Sequence, residues 1–105
     1  MKKTLLVLVV VLLSQVAVAQ KVNLQTAINW LNYNELGKAK EAIDLASKNE
    51  GTAAMAKTWY YRGQIYHAIH ESTKEEDKAF KTGALDEAEA AYQKTMELDT
   101  KGEYK

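Results

Sequence analysis

The stretch that decides the fold is Trp59-Tyr60-Tyr61-Arg62-Gly63-Gln64-Ile65-Tyr66. Its first and last aromatic residues and the glycine between them are separated by four and three positions, which is the spacing of one face of an α-helix. The same face extends backwards to Met55 and forwards to Ile69. The spacing therefore predicts a helix that starts after Thr52 and packs through this face.

Three further helices are predicted by the same periodicity, in a chain rich in Ala, Leu, Glu and Lys and without Pro. Asn23 and Asn34 are placed to cap the first two, and the short link between these two helices predicts an antiparallel hairpin. The three apolar faces are Leu24, Ala27, Ile28 and Leu31 in residues 24–32; Leu36, Ala39, Ile43 and Ala46 in residues 35–48; and Leu85, Ala88, Tyr92 and Met96 in residues 85–98.

A polar insert, residues 71–83, separates the third and fourth helices. Thr73 and Glu76 have the spacing of a capping box, which allows a further turn of helix before Phe80. We expect the charged residues of the insert to form a solvated face rather than a site. These residues are Lys74, Glu75, Glu76, Asp77 and Lys78.

Residues 35–43 and residues 84–92 are similar to each other. In both segments a Leu precedes an Ala by three positions, and a large residue follows that Ala by four. A small residue lets two helices approach closely, and the large residue a turn later fills the space beside the contact. The similarity predicts two related helix pairs.

The third and fourth helices resemble a tetratricopeptide repeat. Trp59, Gly63 and Tyr66 match the Trp, Gly and Tyr of the first helix of that repeat, and Ala88 and Tyr92 match the Ala and aromatic residue of the second. The earlier pair is similar in part, through Ala27, Trp30, Ala39 and Ile43.

The resemblance implies an all-α chain of two antiparallel helix hairpins, stacked as a short right-handed α-solenoid. The two helices of the second hairpin would touch at Gly63, with Ala88 packed near it. Trp59, Tyr66 and Tyr92 would be wedges in the core.

The chain departs from the repeat pattern at several positions. Arg62 stands where the repeat usually has Leu, Thr95 where a second small Ala is common, and Thr100 where Pro usually ends the unit. Tyr66 and Ala88 are 22 residues apart, whereas the repeat keeps roughly nine. The surplus is the polar insert, which we expect to lengthen the helices or to bulge outward at the turn.

The first twenty residues have the pattern of a secretory signal. Lys2 and Lys3 precede nine consecutive Leu and Val residues, and small residues follow at Ala17 and Ala19. A membrane-spanning helix is the alternative, but it needs about 20 apolar residues. We therefore predict a signal peptide at residues 1–19, cleaved after Ala19, and no lipid anchor on a cysteine because the chain has none.

The predicted domain boundaries follow from these observations. Residues 20–50 form the first helix pair, residues 52–99 the second pair with its insert, and residues 100–105 a tail. Without Lys2 and Lys3, twelve basic side chains face fourteen acidic ones, so there is no basic field for nucleic acid. The signal and the resemblance together imply the periplasm or cell envelope of a Gram-negative bacterium.

The resemblance also implies a binding groove, because in this family one face of each first helix lines a groove for a peptide or partner protein. The residues at those places are Lys57, Tyr60, Gln64 and His67 in the third helix and Leu24, Ile28 and Asn32 in the first. The alternative is that Tyr60 and Tyr61 only cover a neighbouring helix.

We predict no enzyme activity and no cofactor. After the signal the only serines are Ser47 and Ser72, Cys is absent, and no phosphate-binding loop is present. His67 and His70 share a helix face, but two imidazoles are fewer ligands than a stable metal site needs.

Two other interpretations remain open. The chain could be a structural helical bundle that self-associates, or a part of a longer repeat protein. Two repeat units bury little apolar surface on each other, so the edge formed by Leu85, Tyr92 and Met96 is expected to be covered by a second copy or a partner.

Overall fold

The computed structural model describes residues 21–104, and every regular element in that range is helical. Helix α1 covers residues 21–32, and the other elements are α2 (Leu36–Lys48), the single turn α3 (Glu50–Ala53), α4 (Ala56–Glu71), a 3₁₀ helix (Glu75–Phe80) and α5 (Ala84–Leu98). The all-α prediction is confirmed. The predicted signal peptide and the last residue of the predicted tail lie outside the described residues.

Helix α2 buries the face that its periodicity predicts. Leu36, Ala39, Ile43 and Ala46 are all 3% exposed or less, and Ala42 widens the buried face. The opposite side of the helix carries charged residues and the exposed Leu45.

Helix α5 buries a different face from the predicted one. Its buried residues are Ala84, Ala88, Ala91 and Thr95, whereas Leu85 and Met96 are 40% and 53% exposed. The prediction that Leu85 and Met96 face inward is wrong, because the small side chains are the ones that allow α5 to lie close to its neighbour.

Helix α4 packs antiparallel to both α2 and α5. Along α4, Trp59 faces Lys94 and the later residue Arg62 reaches back to Glu87. In the same way Arg62 contacts Ser47, and the later Tyr66 contacts Asp44. Because partner numbers fall as α4 advances, α4 runs opposite to both α2 and α5 and lies between them.

One apolar core joins α1, α2, α4 and α5. Trp30, Leu31, Met55, Tyr61, Ala68, Phe80 and Tyr92 pack against its edges. Its members are Leu24, Ala27, Ile28, Leu36, Ala39, Ala42, Ile43, Ala46, Ile65, Tyr66, Ile69, Ala84 and Ala88.

Neither predicted asparagine cap is observed. Asn23 lies inside α1, and Asn34 adopts a left-handed conformation with φ of 58° in the link to α2, a conformation that Asn tolerates better than most residues. The Asn34 carbonyl accepts a hydrogen bond from Lys74 Nζ at 2.8 Å. The link between the first two helices is therefore tied to the insert.

The insert folds onto α2 instead of bulging outward. A Cβ at Gly37 would lie 3.2 Å from Cε2 of Phe80, so the ring sits directly on the α2 backbone. Asp77 is only 3% exposed and accepts a hydrogen bond from Ser72 Oγ at 2.6 Å. The expected solvated face is therefore correct for Glu75, Glu76 and Lys78 but wrong for Asp77, which holds the insert together.

Candidate functional site

Arg62 joins three helices through its guanidinium group. Its Nη1 donates to Oδ1 of Asp44 at 2.9 Å and to Oγ of Ser47 at 3.1 Å, both on α2. Its Nη2 donates to Oε2 of Glu87 on α5 at 3.2 Å. The side chain is 16% exposed, and a planar group with five donors can satisfy these acceptors together. Arg62 therefore fixes the spacing of α2 and α5 around α4.

Asp44 collects three donors. Besides Arg62, Tyr66 donates its hydroxyl at 2.6 Å and Lys40 donates from Nζ at 3.0 Å. Burial alone would raise the pKa of Asp44, but the hydrogen bonds from Tyr66 and Lys40 and the charges of Lys40 and Arg62 outweigh it and hold the pKa below its ordinary value. Burial, aided by the hydrogen bond to Asp44, raises the pKa of Tyr66 above 10.0. Asp44 is therefore a carboxylate and Tyr66 a neutral phenol at neutral pH.

Aromatic rings lie next to two cations, Arg62 and Lys94. The guanidinium carbon of Arg62 lies 4.8 Å from the ring centroid of Tyr66 and 5.7 Å from that of Trp59. Lys94 Nζ lies 5.8 Å from the Trp59 ring, and the indole N–H of Trp59 donates to the Ala53 carbonyl at 2.8 Å. That hydrogen bond to α3 fixes the plane of the indole, so the ring presents a constant face to the two cations.

The network forms one wall of an open cleft of about 600 Å³ between α2, α4, α5 and the insert. Both acidic residues in the wall, Asp44 and Glu87, are bonded to Arg62. Within residues 21–104, Lys48 in the wall and Lys94 beside it have no carboxylate partner. The lining residues are Lys40, Asp44, Ser47, Lys48, Trp59, Arg62, Tyr66, Ala79, Phe80, Thr82 and Glu87.

The Ser47 hydroxyl in the wall of the cleft is bonded to neighbouring groups. Ser47 Oγ donates to the Ile43 carbonyl at 2.7 Å and accepts from Arg62. No histidine lies in the lining to act as a base for a hydroxyl. What the cleft offers a ligand is positive charge from its lysines and the aromatic surfaces of Trp59 and Phe80.

The four groove candidates of α4 lie on a different side of that helix from Arg62. Gln64 donates from Nε2 to the Tyr60 hydroxyl at 2.6 Å, and the Tyr60 ring packs against Tyr104 at a centroid distance of 4.7 Å. His67 is exposed, 3.3 Å from Glu71, and Lys57 is also exposed. The tail thus covers Tyr60, one of the four groove candidates on α4.

Two of the three groove candidates of α1 do not lie on an open surface. Leu24 and Ile28 are 5% and 9% exposed and belong to the core, so the prediction that they line a groove is wrong. A core this small needs its few large aliphatic side chains, and α1 supplies these two. Only Asn32 of the three α1 candidates is exposed.

Five of the seven residues predicted to pack the repeat, all but Trp59 and Tyr92, are buried. Ala39, Ile43 and Ala88 are 1% exposed or less. Gly63 lies beneath the Tyr92 ring, because a Cβ at position 63 would be 2.5 Å from Cε1 of Tyr92. Trp59 is half-buried at the cleft, and Tyr66, although buried, also serves the polar network.

Sequence reasoning missed the Arg62 network, although one signal was present. Arg62 departs from the repeat pattern, on a helix face that otherwise carries apolar residues. A guanidinium group on a packed face has to find acceptors, and Asp44 and Glu87 supply them from the two neighbouring helices. Their separation in sequence from Arg62 hides the association.

Neither a metal site nor a membrane span is found between residues 21 and 104. No group of three or more His, Cys, Asp and Glu side chains in this range is arranged to hold a metal ion. In the same range no helix combines the length and apolar character needed to cross a bilayer.

In comparisons with known proteins, no family model, no curated protein and no solved structure matches this chain. The resemblance to tetratricopeptide repeats therefore stays a prediction that depends on the residues named above. Function has to be argued from the geometry of the site.

Proposed function

We propose that this chain is an exported adaptor of the tetratricopeptide type, which binds a protein or peptide noncovalently in the periplasm or cell envelope of a Gram-negative bacterium. The signal pattern in residues 1–19 supports export. The antiparallel packing of α4 against both α2 and α5, with Gly63 beneath Tyr92, supports two stacked hairpins. The protein has no catalytic role in this proposal.

The binding surface is the cleft that contains Arg62, and the ligand is an acidic segment of a partner. The observation that carries this assignment is the state of the charges. Asp44 and Glu87 are both occupied by Arg62, which leaves Lys48 and Lys94 as the cations at the cleft that lack an acidic partner among the described residues. An acidic side chain entering the cleft would gain ion pairs with them without breaking the internal network.

Aromatic surface at the same cleft gives the ligand an apolar contact as well. Trp59 is held by its hydrogen bond to Ala53, and Phe80 is held against Gly37. Aromatic side chains that are already fixed lose little entropy on binding, and they contribute a large share of binding energy in protein interfaces. The cleft therefore combines charge for orientation with aromatic surface for affinity.

Charge reversal at the cleft tests this function. The tagged chain is used to recover partners from the envelope fraction of the producing cell, and the doubly substituted variant Lys48→Glu, Lys94→Glu is compared with wild type. Recovery of the partner should fall at least tenfold, while circular dichroism shows unchanged helix content, since both lysines are exposed. Raising the salt concentration should weaken wild-type recovery in the same direction.

The matched control is the variant Lys57→Glu, Lys101→Glu, which changes the total charge by the same amount on the side of α4 that Tyr104 covers. It should retain the partner. If the control loses the partner and the cleft variant keeps it, the surface around Tyr60 is the binding site and the cleft assignment is wrong. If neither variant affects recovery of the partner, the proposal that the ligand is an acidic segment is wrong as well.

A further inference from the structure

The two ends of the helix stack carry exposed apolar side chains at matching spacings. Val22 on α1 and Tyr33 in the turn directly after it are 53% and 75% exposed, and on α5, Leu85 and Met96 are 40% and 53% exposed. The members of each pair are eleven residues apart, which is about three helical turns or roughly 16 Å. The backbone N–H of Tyr33 still donates to the Asn29 carbonyl at 3.1 Å, so Val22 and Tyr33 lie along one side of α1, as Leu85 and Met96 do on α5. None of these four side chains belongs to the core.

The positions on α4 that correspond to Val22 and Tyr33 are buried inside the molecule. The repeat correspondence aligns Ala27 with Gly63, so Val22 and Tyr33 correspond to Thr58 and Ile69 on α4. Thr58 and Ile69 are both 0% exposed, because that side of α4 packs within the stack. The open face of α1 is thus the counterpart of a face that is completely buried one hairpin later.

The open face of α5 has a counterpart in the same way. The correspondence of Ala39 with Ala88 aligns Leu36 with Leu85 and Ser47 with Met96. Leu36 is 3% exposed, and Ser47 is bonded to Arg62 of α4. On α2, therefore, this face is occupied by the next hairpin, whereas on α5 it is open.

We infer that a second copy of this chain covers these faces, with α1 of one molecule packed on α5 of the next, as α4 packs on α2 within one molecule. The α2–α4 contact is antiparallel, so Tyr33 would meet Leu85 and Val22 would meet Met96. The matched spacing allows both contacts at once. This inference does not rest on the adaptor function, because it requires no ligand in the cleft.

The charges of the two faces favour this pairing over α5 against α5. Within residues 21–32 the only charged side chain is Lys21, whereas residues 84–98 contain Asp86, Glu87, Glu89 and Glu97 against the single cation Lys94. Two α5 faces would bring like charges together, whereas α1 presents none that repel α5. The contact is small and joins two different faces, so the association should be weak and open-ended.

Sedimentation equilibrium of the chain purified from the envelope, over a wide range of protein concentration, tests this inference. Wild type should show a molar mass that rises continuously with concentration. Tyr33→Glu, on the α1 face, and Met96→Glu, on the α5 face, should each stay monomeric. An equimolar mixture of the two variants should associate again but stop at a dimer, because each variant keeps one intact face and has lost the other.

The control is Leu45→Glu, since Leu45 is 49% exposed on α2 away from both faces, and it should associate like wild type. Circular dichroism must show unchanged helix content, and Leu85→Lys replaces Met96→Glu if the latter fails to fold. A wild-type chain that is monomeric throughout would overturn the inference. The inference would also be overturned if Met96→Glu alone lost association, because that result indicates a contact between two α5 helices. Loss of association in the Leu45→Glu control would overturn it as well. In every case Lys48→Glu, Lys94→Glu should associate normally, which separates this test from that of the cleft.

Discussion

Replacing Gly63 by Ala should destabilise the protein, although Ala is the better helix former. A Cβ at position 63 would lie 2.5 Å from Cε1, 2.7 Å from Cδ1 and 2.8 Å from Cζ of Tyr92. Carbon atoms pack at about 3.5–4.0 Å, so the ring would have to move by about 1 Å. Overpacking of this kind costs about 1–3 kcal/mol, and the helix propensity of Ala offsets about 1 kcal/mol of it. The expected net loss in the free energy of unfolding is about 1 kcal/mol.

Removing the Tyr92 ring should reverse the sign of that effect. In a Tyr92→Ala background, Gly63→Ala no longer meets the ring and should stabilise the protein by about 1 kcal/mol through helix propensity alone. Urea unfolding followed by circular dichroism measures all four proteins of the cycle, and a change of 1 kcal/mol corresponds to roughly 4–8 °C in Tm for a domain of this size. Each single change should leave the helix content intact.

A matched control is provided by Gly83→Ala. Gly83 has φ of +75° and a Cβ there would meet no atom within 4 Å, so its cost of about 1–2 kcal/mol is conformational and should not depend on Tyr92. The reasoning is refuted if Gly63→Ala stabilises the protein that retains Tyr92, or if its effect is the same with and without the ring.

Three further outcomes are expected. The pKa of Asp44 is depressed in the folded protein, so Asp44 contributes to the unfolding free energy above the ordinary pKa of 3.8 and loses that contribution as the pH falls below it. The pKa of Tyr66 is raised in the folded protein, so Tyr66 contributes to the unfolding free energy below pH 10.0 and loses that contribution as the pH rises above it. Tyr66→Phe should therefore reduce the pH dependence of the unfolding free energy at both extremes, measured by urea titrations across pH. Thr58→Val should raise the unfolding free energy by about 1 kcal/mol, since the Thr58 hydroxyl is buried without a hydrogen-bond partner among the described residues; an equal loss in urea unfolding would show that the hydroxyl is satisfied. Arg62→Lys should lower the unfolding free energy by about 1 kcal/mol, because a single ammonium cannot reach both α2 and Glu87. The double variant Arg62→Lys, Glu87→Gln should lose less unfolding free energy than the sum of the two single losses.

The contrast between α2 and α5 shows how far periodicity alone could be followed. On α2 the large residues Leu36 and Ile43 and the small Ala39 share one face, so the predicted face and the buried face coincide. On α5 the small residues form one face and the large ones the adjacent face, and the periodicity of the large ones is equally good. Which face turns inward is decided by how close α4 approaches, and that distance depends on Gly63 in another helix.

The burial of Leu24 and Ile28, two of the predicted groove residues, has a related reason. The prediction that Leu24 and Ile28 are exposed assumes that the first helix pair has a groove face equivalent to that of the second pair. The size of the core decides whether such residues can remain exposed. The covering of Tyr60 by the tail could not be predicted from periodicity either. Asp99 accepts hydrogen bonds from the backbone N–H groups of Glu103 and Tyr104, both at 2.9 Å. That local turn carries Tyr104 back to Tyr60 and leaves no periodic pattern.

The position of Arg62 is the part of the site that sequence reasoning could have reached. Arg62 directly precedes Gly63, the centre of a packed helix face, and is therefore rotated about 100° from it, at the edge of that face. A charge at such a position is tolerated only if the neighbouring helices supply acceptors. The acceptors must then lie on the faces of α2 and α5 that turn towards α4. Asp44 directly follows the predicted core residue Ile43, and Glu87 directly precedes the predicted core residue Ala88, so each lies at the edge of such a face. A charged residue in an otherwise apolar helix position therefore directs the search for its partners to the carboxylates at the edges of the two adjoining faces, where Asp44 and Glu87 lie.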